Sequence, residues 1–193
     1  MGTELILRFL ALALTLILSH PVAHGWRSFK IVFVRFDYEF NAKLVDVKIE
    51  LQNSSKSALT VVVNTLETIN GVDVTGSVFL ETEPGNYTSF ISRTVDLCKM
   101  LKDRNVDPLS RSIYQDLQRY GKLFKECPIQ KGTYTLQDYV VDEELLPSFL
   151  PETNFKFSLR LSKPKNQMIF KGSFYGRIDK SKGFNNLKLF SMG

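Results

Sequence analysis

Few side chains in this 193-residue chain invite a chemical reading by type and spacing: Cys98 and Cys127, the two histidines His20 and His24, and the acidic run Asp142-Glu143-Glu144. Two cysteines can form a redox thiol pair, half of a metal site, buried hydrophobes or a disulfide. Histidine would supply the base of a nucleophilic site or a zinc ligand, and paired carboxylates the acid and base of glycoside hydrolysis. The choice among these depends on the compartment in which the chain folds.

The first 25 residues indicate that compartment. Arg8 precedes the apolar run Phe9 to Leu18, Ser19-His20-Pro21 ends it, and Ala23 and Gly25 offer small residues before Trp26. That order predicts a secretory signal peptide over 1–25. Its apolar run is about half of the roughly 20 residues a membrane span requires. Cleavage leaves 193 − 25 = 168 residues, enough for a single domain over 26–193. It also removes both histidines, and with them imidazole-based nucleophilic and zinc sites. In an oxidising compartment the only two cysteines are expected to pair as a Cys98–Cys127 disulfide. Asp142-Glu143-Glu144 stands beside Leu145, Leu146 and Pro147 and is expected to be a solvated turn. The chain is therefore not expected to be an enzyme, and no catalytic residue, metal ligand or cofactor is expected.

The net charge of +5 is unevenly distributed. Residues 26–98 carry seven basic and nine acidic side chains, 7 − 9 = −2, and residues 99–193 carry seventeen and ten, 17 − 10 = +7. A basic half favours anionic partners such as lipid headgroups. No nucleic-acid motif accompanies it, and nucleic acid is not an expected partner of a secreted monomer.

These residues must be positioned by strands. Val32, Val34, Phe36, Tyr38 and Phe40 alternate with Phe33, Arg35, Asp37 and Glu39, and Val45, Val47, Ile49 and Leu51 repeat the pattern. Asn41-Ala42-Lys43 between them suggests a hairpin. A third strand is expected over Leu59–Ile69, a fourth over Val72–Thr82 after the Asn70-Gly71 turn signal, and a fifth over Tyr87–Thr94. The period then changes. Leu109, Ile113, Leu117, Tyr120 and Phe124 form an amphipathic stripe behind the cap pair Asp107-Pro108, with Gly121 as terminator, and a shorter helical turn is expected over Val95–Leu101. Strand rhythm returns at Tyr134, Leu136, Asp138 and Val140, at Phe155 to Leu161, and at Met168 to Ile178. Strands interrupted by one helix predict a mainly β, two-sheet β-sandwich with a helical insertion at about 95–126 that the disulfide staples.

"TVDLCKMLKDR", "PLSRSIYQDLQRYGKLFKECPIQKGTY", "LLPSFLPETNFKFSLRL" and "GSFYGRI" together resemble the secreted insect family of unknown function that includes the CheB chemosensory proteins. That family is distantly similar to the ML lipid-recognition proteins, which include the ganglioside activator. The resemblance implies an immunoglobulin-like β-cup whose sheets part around a hydrophobic ligand. The expected function is thus a secreted, non-enzymatic carrier of a lipid or hydrocarbon, in a chemosensory setting, with a membrane surface or receptor as further partner. Phe36, Phe40, Phe157, Phe170 and Phe174 are the candidate pocket residues, with Gly172 and Gly176 beside them leaving room for a ligand or marking close packing. The alternative is an extracellular interaction protein with a filled core. Asn53-Ser54-Ser55 and Asn86-Tyr87-Thr88 are glycosylation sequons in expected turns, so Asn53 and Asn86 should face solvent.

Overall fold

A computed structural model describes residues 30–53, 57–103, 107–142 and 150–180. The signal peptide expected over 1–25, Ser54 and Ser55 of the first sequon, and Glu143 and Glu144 lie outside the described residues.

Eight strands form two antiparallel sheets. The wide sheet has the order β1-β8-β7-β4-β5 and the narrow one β2-β3-β6. The strands are β1 Lys30–Phe40, β2 Val45–Asn53, β3 Ser57–Thr65, β4 Asp73–Glu83, β5 Asn86–Asp96, β6 Gly132–Tyr139, β7 Asn154–Lys163 and β8 Gln167–Asp179. Between β5 and β6 run two helices, α1 Leu97–Lys102 and α2 Pro108–Leu117, followed by a 3-10 turn over Gln118–Tyr120. The molecule is an immunoglobulin-like two-sheet sandwich with a helical insertion, and the Cys98–Cys127 disulfide ties the end of that insertion to its start.

Neither the expected Asn41-Ala42-Lys43 hairpin nor the Asn70-Gly71 turn joins paired strands. β1 pairs with β8 and β2 with β3, so Asn41-Ala42-Lys43 carries the chain from one sheet to the other. Asn70-Gly71 likewise leads from β3 in the narrow sheet to β4 in the wide one. Alternation records that one face of a strand is buried, and not which strand pairs with it. Crossing between sheets brings the apolar faces of β1 and β2 together: Phe36 and Phe40 pack into the same cluster as Val45, Val47 and Ile49.

The alternation in β1 also breaks. Its register with β8 shifts between Phe33 and Arg35, a β-bulge that absorbs one residue. Phe33 is therefore buried and Val34 is exposed, the reverse of the unbroken pattern. A second irregularity lies where β6 meets β3 between Leu59 and Val61; beside it Asp138 has a positive φ of 49°. There Tyr139, rather than Val140, follows Leu136 into the core.

The interior has two clusters. One is built on Leu44, Val45, Val47, Ile69, Val72, Leu97, Met100, Ile129, Ile169 and Phe170. The other is built on Phe33, Leu59, Leu136, Tyr139, Leu150, Phe155, Phe174 and Ile178. Partly buried Phe36 and Ile49 pack against both.

Candidate functional site

The inner face of the wide sheet is an aromatic layer. Register places Phe36 opposite Phe174, Phe40 opposite Phe170, and Phe157 opposite Phe174 on its other side. Ring centroids lie 4.0 Å apart for Phe36–Phe174, 6.2 Å for Phe157–Phe174 and 6.2 Å for Tyr38–Phe170. The five candidate phenylalanines are thus on one face and close together. Phe170 and Phe174 are buried, while Phe36, Phe40 and Phe157 are half-buried.

The two glycines among them mark close packing. A Cβ on Gly172 would meet the Phe36 and Phe170 rings at 2.9 Å, and one on Gly176 would meet the Val32 carbonyl oxygen at 2.6 Å and the Phe155 ring at 2.7 Å. The space they leave is filled by the protein's own rings. Aromatic packing in this layer accounts for the richness in phenylalanine without a ligand.

The interior opens on the other side of the same sheet. Adjacent strands lie about 4.8 Å apart, so the outer strands of a five-stranded sheet are separated by about 19 Å and those of a three-stranded one by about 10 Å. The narrow sheet cannot cover the whole face. On β4 and β7 the inward-facing Val74, Gly76, Val78, Leu80, Phe157, Leu159 and Leu161 are all only half-buried. Their neighbour Ile91 on β5, opposite Val78, is 44% exposed.

Helix α2 spans this uncovered side. Asp107 caps it by accepting a hydrogen bond from the Ser110 amide (3.0 Å), with Pro108 in the first turn. The same carboxylate pairs with Arg93 of β5 at 3.4 Å, which fastens the start of the helix to the edge of the wide sheet. Its far end is fastened to β6 of the narrow sheet. Tyr120 packs edge-on against Tyr139 at 5.1 Å, and the Thr135 amide donates to the Lys122 carbonyl at 2.9 Å. The expected stripe to Phe124 is therefore cut short. The helix ends at Leu117, and Phe124 packs beyond it between Tyr114 (5.7 Å) and Tyr134 (5.6 Å).

Within α2, the buried arc has a gap. Asp116 is 6% exposed and Leu117 packs against the second cluster, yet Ile113, which lies one turn back between them on the helix surface, is 38% exposed. Leu109, a further turn back, is also exposed. Leu109 and Ile113 on α2 and Ile91 on β5 are thus exposed apolar side chains, and Val78 and Phe157 beside Ile91 are half-buried. Sequence periodicity placed Leu109 and Ile113 on a buried stripe, and Ile91 carried no signal, since β5 shows no clean alternation.

Burial and the nearby Asp116 carboxylate raise the pKa of Tyr139 well above that of an ordinary phenol, and burial does the same to Tyr114, whose hydroxyl donates to the Phe124 carbonyl. Both phenols stay neutral and act as hydrogen-bonding struts. Among the described residues no cluster of three or more His, Cys, Asp and Glu is placed to hold a metal. Asn86 opens β5 and is exposed, as expected of a sequon asparagine. Asn53 ends β2.

A family model described as a protein of unknown function, DUF1091, matches residues 74–157. The matched segment runs from β4 into β7 and contains both cysteines and the whole helical insertion. Among solved structures the chain is similar to chicken MD-1 in its crystal structure complexed with lipid IVa, at 12% identity and a TM-score of 0.39, over 77% of this chain and 96% of that one. No curated protein matches the chain.

Proposed function

We propose that this chain is a secreted, non-enzymatic binding protein for a small hydrophobic ligand of lipid or hydrocarbon type, admitted through an apolar cleft between α2 and the β4–β5 side of the wide sheet. The observation that carries the reading is Ile113, exposed on a helix arc whose neighbours Asp116 and Leu117 are not, together with the half-buried inner faces of β4 and β7 and the exposed Ile91 of β5. An apolar ligand there would cover Leu109, Ile113, Ile91 and Val78 and reach the aromatic layer at Phe157, with Phe36, Phe40, Phe170 and Phe174 as its floor. The disulfide agrees with an oxidising, extracellular setting. The chemosensory role rests on the resemblance of the segments around Cys98 and Cys127 to the CheB-containing family.

The test is native mass spectrometry of the secreted, disulfide-intact protein with solvent extraction of what it carries, alongside saturable uptake of a fluorescent apolar probe. A stoichiometric hydrophobic adduct, with probe uptake lost in Ile113→Glu, is the expected result. One observation favours a second reading, a protein with a filled core that acts through its surface: the Phe36, Phe155 and Phe170 rings occupy the spaces at Gly172 and Gly176. A clean apo mass and no probe uptake would select that reading.

A further inference from the structure

A concavity lies on the flank of α2 opposite the exposed Leu109 and Ile113. It has a volume of about 230 Å³ and is lined by Met100 and Leu101 of α1, by Arg111, Tyr114 and Gln115 of α2, and by Gln118 and Lys125. The Met100, Leu101 and Tyr114 side chains give it an apolar floor, and four of the seven lining residues present nitrogen donors. No acidic residue lines it. Glu126 follows Lys125 but does not reach it, and the Asp107 carboxylate at the start of α2 is committed to Arg93 and to the Ser110 amide.

Among these donors Arg111 is held in place. Arg111 Nη1 donates to the Met100 carbonyl at 3.2 Å, which fixes the guanidinium against α1 and leaves four of its five N–H groups for another acceptor. The Tyr114 hydroxyl donates to the Phe124 carbonyl. Lys125 makes no ion pair among the described residues. The disulfide at Cys98–Cys127 joins the α1 wall to the segment that carries Lys125, so the spacing of the two cations is covalently limited.

We propose that this crevice is an anion site for a phosphate monoester, with Arg111 and Lys125 as the charge partners and Gln115 and Gln118 as neutral donors. Two cations complement a dianion. A rigid guanidinium fork beside a mobile ammonium suits an oxyanion with several acceptor oxygens. The volume is below the roughly 300–1,000 Å³ of pockets that enclose a whole drug-sized ligand, so it fits a headgroup and not an acyl chain. The basic balance of residues 99–193, 17 − 10 = +7, draws anions to this half of the chain. The site stands apart from the apolar cleft and does not depend on it.

The test uses amide and side-chain NMR of the disulfide-intact protein titrated with inorganic phosphate and glycerol 3-phosphate, and cosedimentation with phosphatidylcholine vesicles with and without phosphatidic acid. Saturable shifts at the Gln115 and Gln118 side-chain amides are expected, weakening with salt. Lys125→Gln and Arg111→Lys should each weaken binding about ten- to a hundredfold, the range for one charge-assisted contact, while Lys165→Gln, a cation on the β7–β8 turn, leaves it unchanged. Shifts with the soluble esters and no gain from phosphatidic acid would identify a free phosphate ester. Retention on phosphatidic acid vesicles that Lys125→Gln abolishes would identify a lipid headgroup. No saturable shift with any probe, or an equal loss in Lys165→Gln, overturns the proposal. Because Lys125 is exposed and Arg111→Lys keeps the charge, misfolding would not mimic these losses, and circular dichroism checks it.

Discussion

Gly121 fastens the helical insertion to the narrow sheet, and Gly121→Ala tests that attachment. The residue is extended, with φ 174° and ψ −173°, so backbone strain gives no reason for glycine. The reason is proximity: a Cβ there would lie 1.9 Å from the Thr135 carbonyl oxygen, and backbone atoms on both sides leave nothing flexible to yield. Reaching even 3.0 Å, a distance Cβ atoms essentially never undercut, requires an opening of 3.0 − 1.9 = 1.1 Å. The same movement would stretch the Thr135 amide to Lys122 carbonyl bond from 2.9 Å to about 4.0 Å, outside hydrogen-bond range. One backbone hydrogen bond contributes about 1 kcal/mol and the Tyr120–Tyr139 edge contact about 0.5–1.5 kcal/mol beyond its buried area. With some burial lost at Leu117 and Tyr120, the expected cost is about 2–4 kcal/mol. Urea unfolding followed by tyrosine fluorescence measures it. Gly85→Ala is the control: its φ is +79° and nothing lies within 4 Å of the added methyl, so only the left-handed backbone penalty of about 1–2 kcal/mol applies. A Gly121→Ala protein that loses less than about 0.5 kcal/mol would refute the close-approach reasoning.

Three further outcomes are expected. Removing the disulfide by Cys98→Ser with Cys127→Ser should cost about 3–4 kcal/mol in the chain-entropy model, given the sequence separation of 29, and thermal denaturation with and without reductant reads it. Tyr114 and Tyr139 have folded pKa values raised above the ordinary 10.0. Their contribution is therefore fully present below pH 10 and is lost as pH rises, because the unfolded chain ionises first. Unfolding at increasing alkaline pH, with Tyr139→Phe lessening the loss, would show this, and an unchanged slope in that variant would count against it. Asn86 should carry a glycan in a secreted preparation, so glycosidase treatment should lower the apparent mass in a way that Asn86→Gln prevents; an identical shift in the variant would assign the sugar elsewhere.

Much of the fold was legible because alternation is a local property. β2 and β7 need only one apolar face to be recognised, and the cap pair Asp107-Pro108 marks the start of α2 without tertiary help. The site was less legible. The five phenylalanines were found together on one face, yet whether rings pack or line a space depends on what stands opposite, and Gly172 and Gly176 hold Phe36, Phe155 and Phe170 against the sheet. Ile113 belonged to a stripe that periodicity counts as buried. Its exposure depends on how α2 sits between the two sheets, which periodicity does not record.

The sequence by itself determined the strand and helix segments, the unequal charge of the two halves and the pairing of the only two cysteines, since these follow from side-chain period, side-chain type and count. The tertiary structure decided which strands pair, because β1 and β2, like β3 and β4, have the same half-buried pattern whether they form a hairpin or cross between sheets. It also decided that Gly121, which ends the helical segment as its C-cap, makes a close backbone approach to Thr135, and that Arg111 and Lys125, fourteen positions apart, face one crevice. Those facts depend on the packing of segments distant in the chain, and local preference carries no information about that.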